Sequence, residues 1–249
     1  MGRRRVSARL FPAGLLLAGL LAACAPTTSQ PTPNVILIPG GTIRGRWVEW
    51  GTSRFPLPAP PLLAAANGDA LYVAYADQLL FFRGGTFVES FRLSTPPRFL
   101  HAFPEAVVGL ANELFVPGAK KRFPYPARDA RVRKGVWWTD GDAWYGDRKL
   151  ASGRFRIVVA DDTRVAFLGK EAFFPGIGRF PIPRFHAAAL ASNLYLLTDE
   201  GLVAYTPTGL RIARRPGAYL ALAARAGEVW VLDRQGERIH LNPYLEETP

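Results

Sequence analysis

Residues 62–93 read "LLAAANGDALYVAYADQLLFFRGGTFVESFRL", and this stretch decides how the chain folds. It divides into four short strands, 62–66, 70–75, 79–83 and 86–93, with Asn67-Gly68-Asp69 as one turn and Gly84-Gly85 as a two-residue hairpin turn. Runs such as "ALYVAY" are apolar at successive positions rather than at alternate ones. A short strand of that kind is buried on both faces.

The pattern recurs. Residues 186–215 read "HAAALASNLYLLTDEGLVAYTPTGLRIARR", residues 220–241 "LALAARAGEVWVLDRQGERIHL", residues 106–118 "AVVGLANELFVPG" and residues 155–174 "FRIVVADDTRVAFLGKEAFF". Their aligned centres are Tyr72, Phe115, Val165, Tyr195 and Trp230, spaced by 43, 50, 30 and 35 residues. Four antiparallel strands recurring at such intervals resemble the blades of a β-propeller. The expected fold is therefore all-β: a propeller of five blades, with six as the next count and a β-sandwich as the alternative architecture. The last repeat has only three strands, 220–225, 228–233 and 238–241. The segment "TIRGRWVEW", residues 42–50, is expected to supply the missing strand and so close the ring. No repeat carries the Gly-His and Trp-Asp signature of WD repeats, so no propeller family is identified.

The first 33 residues bear on location. Residues 1–9, "MGRRRVSAR", hold four arginines and no acid, and residues 10–23 form an apolar run of 14 residues. Such a run is shorter than the roughly 20 residues needed to span a bilayer. A basic start, an apolar centre and small residues at the end make an export signal. Leu21-Ala22-Ala23-Cys24 resembles the lipobox of bacterial lipoproteins. The resemblance implies cleavage before Cys24, the only cysteine in the chain, and attachment of a diacylglyceryl group to its thiol. Two or more acyl chains anchor a protein stably. Residues 24–33 then form the lipidated cysteine and an uncharged Pro/Thr-rich tether, and residues 34–249 the folded domain. The expected location is the cell envelope, lipid-anchored and facing away from the cytoplasm. Without residues 1–23 the net charge falls from +11 to +7.

Much of that remaining excess sits in "PGAKKRFPYPARDARVRKG", residues 117–135, which reads as a protruding basic loop. Lys120, Lys121, Arg122, Arg131, Arg133 and Lys134 are its candidate charge partners and Tyr125 a flat contact. Guanidinium forks recognise phosphate and carboxylate groups bidentately. The expected partners are the membrane through the lipid anchor and an anionic envelope component or an acidic protein; nucleic acid is not expected for an exported chain. Residues 173–186, "FFPGIGRFPIPRFH", read as a connector packed over one end of the ring, and "GVWWTDGDAWYGD", residues 135–147, as an aromatic hairpin turning at Asp140-Gly141.

No catalytic motif is visible. His101, His186 and His240 lack metal-ligand spacing, the acid pairs Asp140/Asp142 and Asp161/Asp162 resemble turn residues, and neither a nucleophile elbow nor a P-loop is present. No cofactor is expected. The leading expectation is a binding or scaffold module of the envelope. The alternative is an exported hydrolase or lyase acting on a carbohydrate or lactone in the propeller channel.

Overall fold

The computed structural model describes residues 35–134 and 136–248. Cys24 and the tether lie outside the described residues. Seven antiparallel sheets follow one another along the chain, at 35–56, 63–92, 99–123, 130–155, 157–181, 187–216 and 219–241. Each is a meander whose neighbouring strands are consecutive in sequence. Six have four strands and the last has three. First strands of neighbouring blades lie side by side around a central axis, except that the first strand of blade 4 (Ala130–Arg133) lies beside the second of blade 3 (Val107–Gly109), and the first strand of blade 7 (Tyr219–Arg225) returns beside that of blade 1 (Val35–Ile38). The fold is a seven-bladed β-propeller.

Two-faced apolarity builds this ring. Along the second strand of blade 2 (Ala70–Ala74), Leu71 and Val73 pack into the core shared with blade 1, while Tyr72 and Ala74 pack into the core shared with blade 3. Blade 5 behaves alike: Val158, Val165 and Phe167 face blade 4, and Val159, Ala166 and Leu168 face blade 6. Strand side chains alternate between faces, so an unbroken apolar run supplies two cores at once. Six such clusters of buried apolar residues join blades 1 to 7 in succession. The joint between blades 7 and 1 differs. There Arg44 Nη2 donates to Gly236 O at 2.6 Å and stands 3.6 Å from Glu237 Oε1. Trp230 and Leu232, which alternate with Val229 and Val231 of the blade 6–7 core, are buried as well.

Four expectations from sequence are corrected. The blades number seven, not five or six, and the architecture is not a sandwich. Two blades were hidden. Blade 1 comprises "VILIPGGTIRGRWVEWGTSRFP", so residues 42–50 are not a clasp for the last blade. Gly41–Arg44 is already bonded on both edges, to Val35–Ile38 and to Trp47–Trp50. Blade 7 instead keeps three strands, followed by a turn that returns Glu247 to bridge Leu241. Blade 4 lies inside the 50-residue interval. Its first strand, Ala130–Arg133, alternates buried Ala130 and Val132 with Arg131 and Arg133, so that part of the basic segment is strand rather than loop. Residues 173–186 likewise are not a covering connector: Glu171–Phe174 and Gly178–Pro181 are the outer strands of blade 5. The aromatic hairpin is present, with Val136–Thr139 paired to Gly141–Tyr145 and the rings of Trp138 and Tyr145 5.3 Å apart.

Close packing within blade 3 leaves no room at Gly109, where a Cβ would stand 2.0 Å from Phe99 Cε1, whereas a Cβ on exposed Gly118 would meet nothing within 4 Å. Gly109→Ala is therefore expected to lower unfolding stability by about 1–3 kcal/mol, and Gly118→Ala to leave it unchanged. Urea midpoints of both variants check this; equal midpoints would mean that blade 3 yields without cost.

Candidate functional site

Two connected spaces occupy the ring. The first is the central channel, a cavity of 260 Å³ to which every blade contributes its first strand. Alanines 64–66, 188–189 and 223–224 of blades 2, 6 and 7 lie along it, with Ala64 and Ala66 packed towards blade 1 and Ala65 towards blade 3, so these strands turn a backbone edge to the axis. Three polar residues also line it: His101, Arg131 and Arg225.

His101 ends the first strand of blade 3 (Phe99–His101), and Arg131 lies on the first strand of blade 4. Asp129, buried just before that strand, holds them together. His101 Nε2 stands 2.5 Å from Asp129 Oδ1, and Arg131 Nη1 donates to the same oxygen at 3.3 Å. The amide of Val158, on blade 5, donates to Asp129 Oδ2 at 2.7 Å. One carboxylate thus ties three blades. Burial works to raise Asp129, but His101, Arg131 and the Val158 amide outweigh it and hold the carboxyl below its ordinary range. Burial, with the Arg131 guanidinium beside it, pushes His101 below the usual histidine value against the pull of Asp129. His101 and Asp129 lie 28 residues apart, on successive blades, so no local motif marks the pair in the sequence.

The second space is a 460 Å³ recess on the face that carries the first-to-second and third-to-fourth strand turns. Trp50, Trp230, Asp69, Glu228 and Arg225 line it beside the glycine turns of blades 1 and 2. Those turns are tight because Gly40, Gly51, Gly68 and Gly84 adopt positive φ, between 55° and 76°. Blade 3 instead has a five-residue loop, 102–106, from which Phe103 reaches to 6.0 Å from the Arg225 guanidinium. Arg225 and Pro39 line both spaces. Trp50 donates its indole N–H to Pro39 O at 3.1 Å, and Trp230 stacks on His240 at 5.5 Å.

The basic set singled out in sequence is spread over several surfaces. Lys120 follows the short turn Pro117–Ala119 and meets Glu89 Oε1 of blade 2 at 2.6 Å. Lys121 and Arg122 lie on the fourth strand of blade 3 (Lys121–Phe123). Arg122 pairs with Glu113, donates to Arg92 O at 2.8 Å and covers the Phe115 ring. The Tyr125 hydroxyl accepts from Thr139 Oγ1 at 3.3 Å. Arg133 donates to Asp161 O at 2.7 Å and stacks on Trp138. Lys121 and Lys134 are exposed and form no ion pair among the described residues. The structure therefore brings Arg131 into the channel and leaves the other members apart from it. Among the described residues no group of three or more His, Cys, Asp or Glu could hold a metal ion, and no helix is long and apolar enough to cross a membrane.

No protein-family model and no curated protein matches the chain. Solved structures do resemble it in fold. PorZ of Porphyromonas gingivalis, an essential bacterial surface component of the type-IX secretion system, superposes with a TM-score of 0.60 at 9% identity, over 86% of this chain and 38% of PorZ. BBS1N, solved in complex with ARL6, gives 0.59 at 16% identity over 88% of this chain and 94% of its own. BamB from Moraxella catarrhalis gives 0.51 at 11% identity, over 81% of each chain. At these identities the likeness is one of fold.

The His101–Asp129 pair makes stability depend on pH. A histidine held neutral by folding binds fewer protons in the native state than in the unfolded chain. Stability therefore falls as pH drops through about 6.5, the unfolded value, and the depressed Asp129 adds a second loss below about 4. Urea midpoints measured from pH 7.5 down to 5 should decline for the natural protein, and His101→Gln should flatten that decline. The same slope in both proteins would show that His101 titrates freely in the native ring.

Proposed function

We propose that this chain is an envelope lipoprotein, anchored through Cys24, whose seven-bladed ring binds a protein partner at the recess between blades 7, 1 and 2. The recess carries this reading. It sets the edges of two largely buried tryptophans beside exposed Asp69 and Glu228 and half-buried Arg225, over glycine turns that let a partner backbone approach closely. Aromatic and arginine side chains in a partly enclosed depression are the usual anchors of protein recognition. A rigid sheet scaffold presenting short loops suits binding, and BBS1N, a protein of similar fold, was solved in complex with a protein. PorZ, also similar in fold, is a bacterial surface component, which agrees with an envelope setting.

A protein partner is favoured over an anionic polymer because the basic residues are dispersed. Arg122, Arg131 and Arg133 are engaged within the ring, leaving Lys121 and Lys134 as separated contacts. A hydrolase or lyase in the channel would have to employ His101, whose Nε2 is already committed to Asp129.

A photo-crosslinking residue at Thr52, on the recess rim, is expected to trap a discrete protein in intact cells, whereas one at Val88, exposed on the outer strand of blade 2, is not. Glu228→Lys should lower the Thr52 yield by roughly fivefold or more, the effect of losing an interface anchor, without shifting the thermal melt. Equal yields from both positions, or none from Thr52, would overturn the recess as the binding surface. Separately, Cys24→Ser should abolish fatty-acid labelling; a variant that still labels would overturn the anchor.

A further inference from the structure

The two ends of the ring carry opposite charge. In each meander the first-to-second and third-to-fourth turns lie at one end, the recess face. The second-to-third turns lie at the other end, together with the connectors between blades. This connector face gathers bases. Arg46, Lys170 and Arg234 occupy second-to-third turns of blades 1, 5 and 7, and Arg98, Arg128, Arg156 and Arg184 occupy the connectors that lead into blades 3, 4, 5 and 6. All seven are exposed, and none forms an ion pair among the described residues. The acids of the same turns and connectors are mostly engaged. Glu113 pairs with Arg122, Asp199 with His186, Glu200 with Arg214 and Glu237 with Arg44. Asp129 and Asp140 accept backbone amides, and only Asp77 stands without such a partner among the described residues. The turns of the recess face read the other way. Asp69, Asp147, Asp162 and Glu246 are exposed there, and Lys134 is the one base of those turns without an ion pair among the described residues.

The connector face is also where the N-terminal segment joins the ring. The first strand of blade 1 begins there at Val35, and Cys24 stands eleven residues before it. A lead of that length spans at most about 36 Å, so a lipid on Cys24 would hold this face near the bilayer. Trp47, next to Arg46, and Leu62, in the connector to blade 2, are 42% and 55% exposed at the same end. Tryptophan favours the headgroup level of a membrane. The seven bases stand on separate turns and connectors around the ring, an arrangement that suits a planar array of charges rather than a single pocketed anion.

We propose that the connector face is a docking surface for an anionic lipid bilayer, with its free arginines on lipid phosphates and Trp47 at headgroup level, so that the recess points away from the membrane. Guanidinium forks bind phosphate bidentately, and a basic surface reinforces an acyl anchor as a second signal. The setting rests on the lipoprotein reading; the contact itself needs no lipid on the protein, so the two can fail separately.

Residues 32–249 form one compact unit that holds every described strand and every apolar core, and they suffice as the test protein. Co-sedimentation with vesicles of phosphatidylglycerol and phosphatidylcholine in equal parts, and of phosphatidylcholine alone, measures the contact at low and high salt. The unit should bind the anionic vesicles tighter than the neutral ones by about tenfold or more, and high salt should remove the difference. Each base near an anionic surface adds about fivefold. Arg98→Ser, Arg156→Ser and Arg184→Ser together should therefore weaken anionic binding by about tenfold or more. Lys121, Arg148 and Arg211 are exposed bases that open fourth strands at the recess end. Lys121→Ser, Arg148→Ser and Arg211→Ser together remove the same net charge and should weaken binding by about threefold at most. Both triple variants should keep the thermal melt of the unaltered unit, because exposed charges contribute little to stability. No preference for anionic vesicles, equal losses from the two triple variants, or tighter binding to poly-glutamate than to the anionic vesicles would each overturn the proposal. Fatty-acid labelling of Cys24 reports on the anchor alone, whatever the vesicles give.

Discussion

Every blade of this ring is a sheet that cannot be wetted on either side. That constraint organises the rest. A four-stranded meander with apolar residues on both faces has no stable existence alone; it needs a neighbour on the left and another on the right. Phe167, wholly buried, faces blade 4, and its sequence neighbours Ala166 and Leu168, also wholly buried, face blade 6. A linear stack of such sheets would expose two apolar ends. Bending the stack until its ends meet removes both, and the ring that results leaves the first strands around a narrow axis. The channel is thus a by-product of burying sheet faces.

Onto that frame the polar residues are fitted where the apolar seams permit. Asp129 is the clearest case. It sits where blades 3, 4 and 5 approach the axis and joins them through His101, Arg131 and the Val158 amide. The same cluster turns Arg131 towards the channel, so an element that orders the ring also sets the chemistry of its interior.

Much of the fold was legible in the chain. Doubly apolar strands and two-residue glycine turns pointed to a propeller, and blades 2, 5, 6 and 7 fall close to the positions read from residues 62–93, 155–174, 186–215 and 220–241. The count failed for local reasons. In blade 3 the strands are three residues long, and the segment centred on Phe115 is its third strand, not its second. Blade 4 opens with arginines at alternate positions, and a dense run of bases reads as loop unless Ala130 and Val132 are given equal weight. Blade 1 follows a proline-rich segment and has strands only four residues long, although Gly40, Gly45 and Gly51 mark its three turns. The channel cluster was not legible at all. His101, Asp129 and Arg131 are brought together by blade order, a property of the closed ring and not of any window of sequence.

The joint between blades 7 and 1 brings together the first and last sheets, and it mixes polar and apolar contacts. Arg44 bonds to Gly236 and faces Glu237, while Trp230 and Leu232 are buried on the strand face turned away from blade 6. No ladder crosses it, because Val35–Ile38 and Tyr219–Arg225 belong to separate sheets. The recess lies across this joint, with Trp50 on one side and Trp230 and Glu228 on the other. A body seated there touches the first and last blades at once, and so acts as a cross-link between segments 192 residues apart, as the Arg44–Gly236 bond does.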